Sequence, residues 1–197
     1  MLLCPVSAPL EGGSVGSRGI TAVLAAVVVA GAIFFLSATV EPERAGAKTT
    51  TVGTCDGGSI TLDTREQRIL VLHNSTRKEL GLRPLCIDTR LTRAARSHSR
   101  EMIDNDYFSH ASYDGETVVE RLARFGYLQS IRGENLAGGS GGYGEPDNAF
   151  QRWMNNPRHK GNILNSKYQA VGVGTYTGDY KGFELFTMYT VDFGVSR

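Results

Sequence analysis

The chain has 197 residues, of which 41% are hydrophobic and 21% charged, and its formal net charge is +1. This composition is typical of a folded domain and excludes a disordered chain. With a net charge close to zero, the chain lacks the excess of basic residues that is typical of nucleic-acid-binding proteins, so no nucleic acid is expected as a partner.

The N-terminal part of the chain contains a long apolar segment. Residues 19–40, GITAVLAAVVVAGAIFFLSATV, carry no charged side chain, and a helix of about 20 such residues spans the hydrocarbon core of a bilayer. We expect a transmembrane anchor, preceded by a short tail over residues 1–18. The alternative is a long signal segment that is cleaved near the small residues 45–47. The rest of the chain would then be secreted rather than held at the membrane.

Two of the three cysteines follow this segment. Cys55 and Cys86 lie downstream of it, whereas Cys4 precedes it. An even pair after an export-like segment predicts a disulfide in an oxidising compartment, with two separate buried thiols as the alternative. A bridge between them would place the domain outside the cytoplasm.

The remaining chain divides into a linker and one domain. Residues 41–62 are rich in Thr and Gly without a helical period and are expected to form a linker, and the domain is expected over residues 63–197. Capping residues and apolar periodicity predict four helices, in DTREQRILVLHNSTRKELGL, DTRLTRAARSHSREMIDND, GETVVERLARFGY and EPDNAFQRWMNN. The apolar stripe predicted for the first helix consists of Ile69, Leu72, Thr76 and Leu80.

The pattern changes towards the C-terminus. AVGVGTYT and FELFTMYTVDFG are rich in Val, Tyr, Phe and Thr, with GDYKG between them, which predicts a β-hairpin. One or two more strands are expected within residues 126–140. Helices first and an antiparallel pair last indicate the α+β class, with helices packed on a small antiparallel sheet.

The four histidines separate into two kinds. His73 and His98 fall within predicted helices, and we expect them to be packed structural residues. His110 and His159 are expected in loops at helix ends, where functional groups concentrate. Glu134 lies between them in sequence, beside Gly133, so its backbone can approach a partner closely.

Two imidazoles and a carboxylate from three separate segments form a possible divalent-metal set. His110, His159 and Glu134 carry the donor types that zinc prefers. Their spacing matches no local metal motif such as H-E-x-x-H. The other interpretation is that these side chains hydrogen-bond one another and fix the loops.

Five short segments, taken in order, resemble a known family. LHNSTRKELGLRPL, FSHASYDG, GENLAGG, AFQRWMNNPRHKGNIL and AVGVGTY are similar to the CAP superfamily, which comprises cysteine-rich secretory proteins, antigen 5 and plant pathogenesis-related proteins. The likeness is greatest to its short bacterial SCP-like branch and covers roughly residues 66–194.

This resemblance implies an α-β-α sandwich that is secreted or held at the cell surface. It also implies a central cleft with two histidines and two acidic residues. His110 matches the first histidine, Glu134 the glutamate and His159 the second histidine, so these residues are implied to form the cleft and to be able to hold zinc.

One position departs from the family pattern. Asn156 stands where the second acidic residue is expected, and an amide is a weak zinc ligand that cannot act as a carboxylate base. Asp114 and Glu116 are other acids that could approach the cleft. No catalytic residue is assigned, and Asn156 is retained as a binding residue of the cleft.

The resemblance favours a binding module for a lipid or another cell-envelope ligand, held at the membrane by residues 19–40. The alternative is a metal-assisted hydrolase or peptidase that uses the same cleft. The missing second acid favours the first of these two functions.

Overall fold

A computed structural model of the chain describes residues 48–196. The tail, the apolar segment 19–40 and the first part of the linker lie outside the described residues. Within residues 48–196, no helix combines the length and the hydropathy of a membrane span.

The helices and strands confirm the α+β class and the four predicted helices. The chain order is β1 (Thr49–Gly53), β2 (Ser59–Asp63), α1 (Thr64–Glu79), β3 (Cys86–Ile87), α2 (Thr89–Asp104), α3 (Val118–Arg124), β4 (Arg132–Gly139), a 3-10 turn (Gly141–Gly144), α4 (Pro146–Asn155), α5 (Pro157–Ile163), β5 (Ala170–Tyr180) and β6 (Phe183–Gly194).

A four-stranded sheet in the order β3-β5-β6-β4 forms the centre of the domain. Strand β6 pairs antiparallel with both β5 and β4, as the predicted hairpin requires, and β4 is the further strand expected within residues 126–140. The two-residue strand β3 pairs parallel with β5. A parallel edge was not predicted, because two residues carry no readable alternation.

Helices cover both faces of this sheet. On one face Val173 and Val191 pack in a cluster with residues of α1, α4 and α5. On the other face Ala170 packs with α2 and α3, and Met188 packs with the C-terminal end of α2. Successive strand residues point to opposite faces, and the result is the α-β-α sandwich that the resemblance implied.

Helix α2 lies very close to β5 because two strand residues have no side chain. A Cβ added to Gly172 would lie 2.1 Å from the backbone of Leu91, and one added to Gly174 would lie 2.1 Å from the backbone nitrogen of Arg96. Real Cβ atoms do not come this close to backbone. The glycines of the AVGVGTY segment therefore set the distance between helix and sheet.

Helix α1 buries a face that its apolar pattern did not predict. Of the four residues in the predicted stripe, Ile69 is fully buried, whereas Leu80 is 58% exposed. The buried face runs instead through Ile69, His73 and Arg77. The guanidinium of Arg77 donates to four backbone carbonyls, which replace water and make its burial tolerable.

The segment expected as a linker contributes to the fold. Strands β1 and β2 form a hairpin within residues 49–63, and Leu62 is fully buried in the core. The predicted disulfide between Cys55 and Cys86 is present and ties this hairpin to β3. The Thr/Gly-rich composition of this segment suggested a linker, and the alternation of apolar residues that face the core on one side of the hairpin was therefore overlooked.

Strand β4 is an edge of the sheet, and side chains cover its outer carbonyls. The donors come from α4 and α5 and reach alternate residues: Asn162 Nδ2 to Glu134 O (3.2 Å), Trp153 Nε1 to Leu136 O (2.8 Å) and Arg152 to Gly138 O (2.9 Å). These bonds occupy the positions that a further strand would use. They also fix α4 and α5 beside β4.

Candidate functional site

His110 lies in the loop after α2 and contacts Glu134 of β4. Its Nδ1 is 2.6 Å from Glu134 Oε1, while 57% of the His110 side chain is exposed. The hydrogen bond to Glu134 raises the pKa of His110, and partial burial opposes the rise. Because Nδ1 donates to the carboxylate, Nε2 is the nitrogen left for a ligand.

Glu134 is buried and ionised. Burial alone would raise the pKa of Glu134, but the hydrogen bond from His110 and the charge of Arg121 outweigh it and lower that pKa. The Arg121 guanidinium donates to Glu134 Oε2. The two carboxylate oxygens therefore have different donors, one an exposed imidazole and the other a buried guanidinium.

Arg121 of α3 ties the His110 loop to the sheet. Its side chain is fully buried, and its Nη1 donates to His110 O and to Ser112 Oγ, both at 3.1 Å. The same guanidinium thus holds the backbone of His110 and the carboxylate that orients the His110 ring. Such a shared anchor keeps the imidazole in one position.

Asp192 of β6 stands directly opposite Glu134 in the β4–β6 register. It is fully buried, and neither of its carboxyl oxygens meets a hydrogen-bond donor within residues 48–196. Burial, and then the charge of Glu134, raise the pKa of Asp192 well above its ordinary value. Asp192 is therefore the more readily protonated member of this acid pair, and Glu134 is the member that pairs with Arg121.

His159 lies in helix α5, not in a loop as expected. The helix forms because Pro157 occupies its first position and Asn156 caps it: the Asn156 side chain accepts from the backbone N–H groups of Arg158 and His159. Burial, and then the positive charge of His110, lower the pKa of His159. His159 is therefore neutral at pH 7, and Asn156 has a capping role in addition to the predicted binding role.

The other two histidines are packed structural residues, as predicted. His73 is fully buried, with Nδ1 2.8 Å from Ile69 O and its ring against Phe150 and Trp153. His98 is also fully buried, with Nε2 2.9 Å from Ser109 O.

An apolar groove of about 490 Å³ runs along β4 beside this polar cleft. Its walls come from β4, from α4 and α5, from the His110 loop and from the β5–β6 hairpin. The lining residues are Phe108, Leu136, Ala137, Gly138, Arg152, Trp153, Asn156, His159, Tyr180 and Phe186. His159 and Arg152 are the lining residues able to carry positive charge, and the lining contains no Asp or Glu.

The family model of the cysteine-rich secretory proteins matches residues 70–193 of this chain. The match includes His110, Glu134, Asn156 and His159 and all of the central sheet except Gly194. The chain belongs to the cysteine-rich secretory protein family. The resemblance drawn from the five sequence segments is thereby confirmed.

Two relatives of this family member come from Bacillus subtilis (strain 168). YkwD is 36% identical over 109 residues, covering 55% of this chain and 41% of YkwD. The membrane protein YlbC is 35% identical over 111 residues, covering 56% of this chain and 31% of YlbC. The match thus spans less than half the length of either relative.

Two solved structures share the fold. An extracellular protein containing an SCP domain from Bacillus anthracis superposes with a TM-score of 0.57 at 32% identity, covering 67% of this chain and 40% of that one. An outer surface protein of Borrelia burgdorferi gives a TM-score of 0.57 at 21% identity, covering 76% of this chain and all of its own. At that identity the second likeness concerns the fold alone.

The zinc ion that the resemblance implied does not fit this arrangement. Among residues 48–196, no group of three or more His, Cys, Asp or Glu side chains is placed to hold a metal ion. Both oxygens of Glu134 are already engaged, and the Arg121 charge beside them opposes a second cation. Asp114 and Glu116 serve elsewhere, in a turn and in an ion pair with Arg124. No chemical step is therefore assigned to a metal.

Sequence reasoning missed two residues of the site. Arg121 has the spacing of an ordinary helix surface residue, and its burial depends on the distant loop and strand that it joins. Asp192 did leave a signal, because a single carboxylate interrupts the apolar run TMYTVDFG. A charged residue on a strand this apolar is rarely fully buried unless it has a special environment.

Proposed function

We propose that this protein is an extracytoplasmic binding module that takes up a single-chain lipid with an anionic head group. The observation that carries the proposal is the groove along β4. Its volume of about 490 Å³ lies within the roughly 300–1,000 Å³ typical of small-molecule sites. Its floor is apolar, and its polar groups are confined to a few positions.

The charges of the groove favour an anion over a cation. Arg152 supplies a fixed positive charge, and His159, neutral at pH 7, supplies an imidazole that can donate a hydrogen bond. His110 lies close enough to lower the pKa of His159 by its own charge. A carboxylate or phosphate in the groove would meet the charge of Arg152 or the imidazole of His159 and no competing acid in the lining.

A location outside the cytoplasm is supported by three features. The Cys55–Cys86 disulfide is of a kind that persists in oxidising compartments. The apolar segment 19–40 has the length of a membrane anchor. The Bacillus anthracis neighbour is described as extracellular, and YlbC as a membrane protein. We propose that the domain is anchored to the membrane by residues 19–40.

The single tryptophan of the chain offers a direct test, because Trp153 lines the groove. Palmitate titrated into a protein of residues 43–197, which contains the whole described domain, is expected to change the Trp153 emission. Phe108→Ser is expected to weaken binding about tenfold, because the ligand can no longer cover the ring of this half-exposed residue. Native mass spectrometry would give the stoichiometry.

Two controls separate groove binding from general effects. Leu128→Ser removes an exposed apolar residue outside the groove lining and is expected to leave palmitate affinity unchanged. Arg152→Met is expected to weaken palmitate but not the uncharged monopalmitoylglycerol, because only the first ligand needs the charge. If palmitate neither alters the emission nor remains bound in the mass spectrometer, the lipid proposal fails. A hydrolase using the same cleft stays a prediction.

A further inference from the structure

The turn between β5 and β6 exposes large apolar side chains. Phe183 is 58% exposed and Leu185 is 74% exposed, both at the start of β6. Hairpin turns are usually built from Gly, Asn, Asp and Ser. We call residues 179–186 the hairpin tip. Its exposed apolar side chains contribute little to the core.

The backbone of the hairpin tip is strained at one of these residues. Leu185 has φ +51°, in the left-handed region, and the β5–β6 register shifts beside it, between Gly178 and Tyr180. Leucine is unfavourable there because its Cβ crowds the following carbonyl, whereas glycine is not. Folding alone would favour glycine at this position, and such outliers concentrate at functional sites.

The hairpin tip is continuous with the groove. Tyr180 and Phe186, which belong to the tip, line the groove together with Phe108, which is 51% exposed. The rings of Phe183 and Phe186 lie 6.3 Å apart. Exposed and groove-lining aromatic residues thus form one apolar surface at this end of the molecule.

The chain enters the domain within reach of this end. Thr49 pairs with Asp63, whose Oδ2 accepts a hydrogen bond of 2.8 Å from Thr175 in the middle of β5. The five steps along the strand from Thr175 to Tyr180 span roughly 17 Å. The eight steps from residue 40 to residue 48 reach at most about 28 Å when the chain is extended. A domain attached through residues 19–40 can therefore place its hairpin tip on the bilayer surface.

We propose that the hairpin tip docks on the lipid bilayer to which residues 19–40 attach the chain. This inference rests on the membrane attachment proposed above. The charges of the tip are mixed, with Lys181 beside Asp179 and Glu184. Docking is therefore driven by burial of Phe183 and Leu185 in the interfacial region of the bilayer. It does not require anionic lipid and is expected on zwitterionic bilayers. It also brings the mouth of the groove to the lipid layer that would supply its ligand.

The experiment uses the full chain reconstituted in phosphatidylcholine vesicles whose acyl chains carry bromine, a quencher of tryptophan. Phe183→Trp places a probe at the tip, and the wild type gives the background of buried Trp153. The emission of the added tryptophan is expected to fall about twofold on transfer from unbrominated to brominated vesicles, because the ring lies in the interface. High salt is expected to leave this quenching unchanged.

Leu128→Trp is the matched control. Leu128 is 72% exposed and follows Tyr127, whose hydroxyl contacts Val195 beyond the other end of β6. Its added tryptophan is expected to escape quenching. Leu185→Gly, introduced together with Phe183→Trp, is expected to reduce the quenching while the melting temperature stays equal or rises, because glycine relieves the strain. If Leu185 served only to stabilise the fold, Leu185→Gly would leave the quenching at position 183 unchanged.

The outcomes separate the two proposals. Quenching at position 183 but not at position 128 supports docking of the hairpin tip. Alkaline carbonate tests the anchor separately, because it releases a chain that does not span the bilayer. Extraction by carbonate therefore contradicts the anchor and leaves the docking result standing. Equal quenching at both positions, quenching at 128 alone, or no quenching at either position overturns docking by the hairpin tip.

Discussion

Helix α2 and the helix pair α4–α5 meet the central sheet in different ways. Gly172 and Gly174 bring the backbone of α2 so close to β5 that no side chain would fit between them. Beside β4, in contrast, side chains of α4 and α5 reach the edge carbonyls and leave a groove of about 490 Å³. The difference separates a tightly packed support from an open site.

This contrast extends to the buried polar residues. Between α1 and α4, His73 is enclosed by aromatic rings and has one backbone acceptor. At the site, Arg121, Glu134 and Asp192 form a buried group that ends in the exposed imidazole of His110. The predictions below test whether this group acts as one unit and whether the support tolerates change.

The largest expected effect comes from removing the buried guanidinium. Arg121→Met leaves Glu134 without its buried partner, and breaking such a pair costs about 3–5 kcal/mol of unfolding free energy. Urea denaturation measures the loss. Arg124→Met on the same helix breaks an ion pair that is largely exposed and is expected to cost about 0.5 kcal/mol. Equal losses in the two variants would show that Arg121 is not a special anchor.

The second prediction concerns the close contact between α2 and β5. Gly174→Ala is expected to destabilise the domain by about 3 kcal/mol, since the new Cβ meets backbone that cannot move aside. Gly161→Ala is the control: its Cβ would enter open space in helix α5, and it is expected to stabilise by about 0.5–1 kcal/mol. Thermal unfolding of both variants gives the comparison. A well-tolerated Gly174→Ala would contradict the proposed spacing.

The smallest of these effects is a dependence of stability on pH that comes from His73, packed between α1 and α4. Burial lowers the pKa of His73 to about 4, while the unfolded chain binds that proton near pH 6.5. The free energy of unfolding is therefore unaffected by this residue above about pH 6.5, the pKa of histidine in the unfolded chain, and it decreases as the pH falls below that value. The loss is about 2 kcal/mol between pH 7 and pH 5.

His73→Gln isolates this contribution, because the difference in unfolding free energy between variant and wild type should narrow on acidification. A difference that stays constant from pH 7 to pH 5 would show that His73 does not resist protonation. The titration of the His73 ring followed by NMR would give the same answer directly.

Local patterns in the sequence were sufficient for four of the helices and for the C-terminal hairpin. The capping residue Asp88 and the apolar stripe of α2 predicted that helix as it is observed. The change from helical periodicity to Val, Tyr and Thr predicted the β5–β6 hairpin. The pairing of Cys55 with Cys86 followed from their place after the apolar segment. Each of these signals depends on neighbours in sequence.

Segments whose partners lie far away in sequence were predicted less well. Strands β1 and β2 were taken for part of a linker, because their burial depends on packing against α1 and the central sheet. His159 was expected in a loop, since the cap that Asn156 provides for α5 follows another helix without a break. The resemblance to the family gave the order of the cleft residues but not their contacts.

The sequence by itself determined the fold class through its local periodicity. Its short ordered segments determined the family and, through the resemblance, the membership of His110 and Glu134 in one site. Tertiary structure alone decided which donors hold Glu134, why the pKa of Asp192 is raised and where the groove opens. The physical reason is that burial and charge at these atoms are set by residues that only folding brings together, Arg121 on a helix and Asp192 on a strand. The spacing of these residues along the chain does not predict that contact.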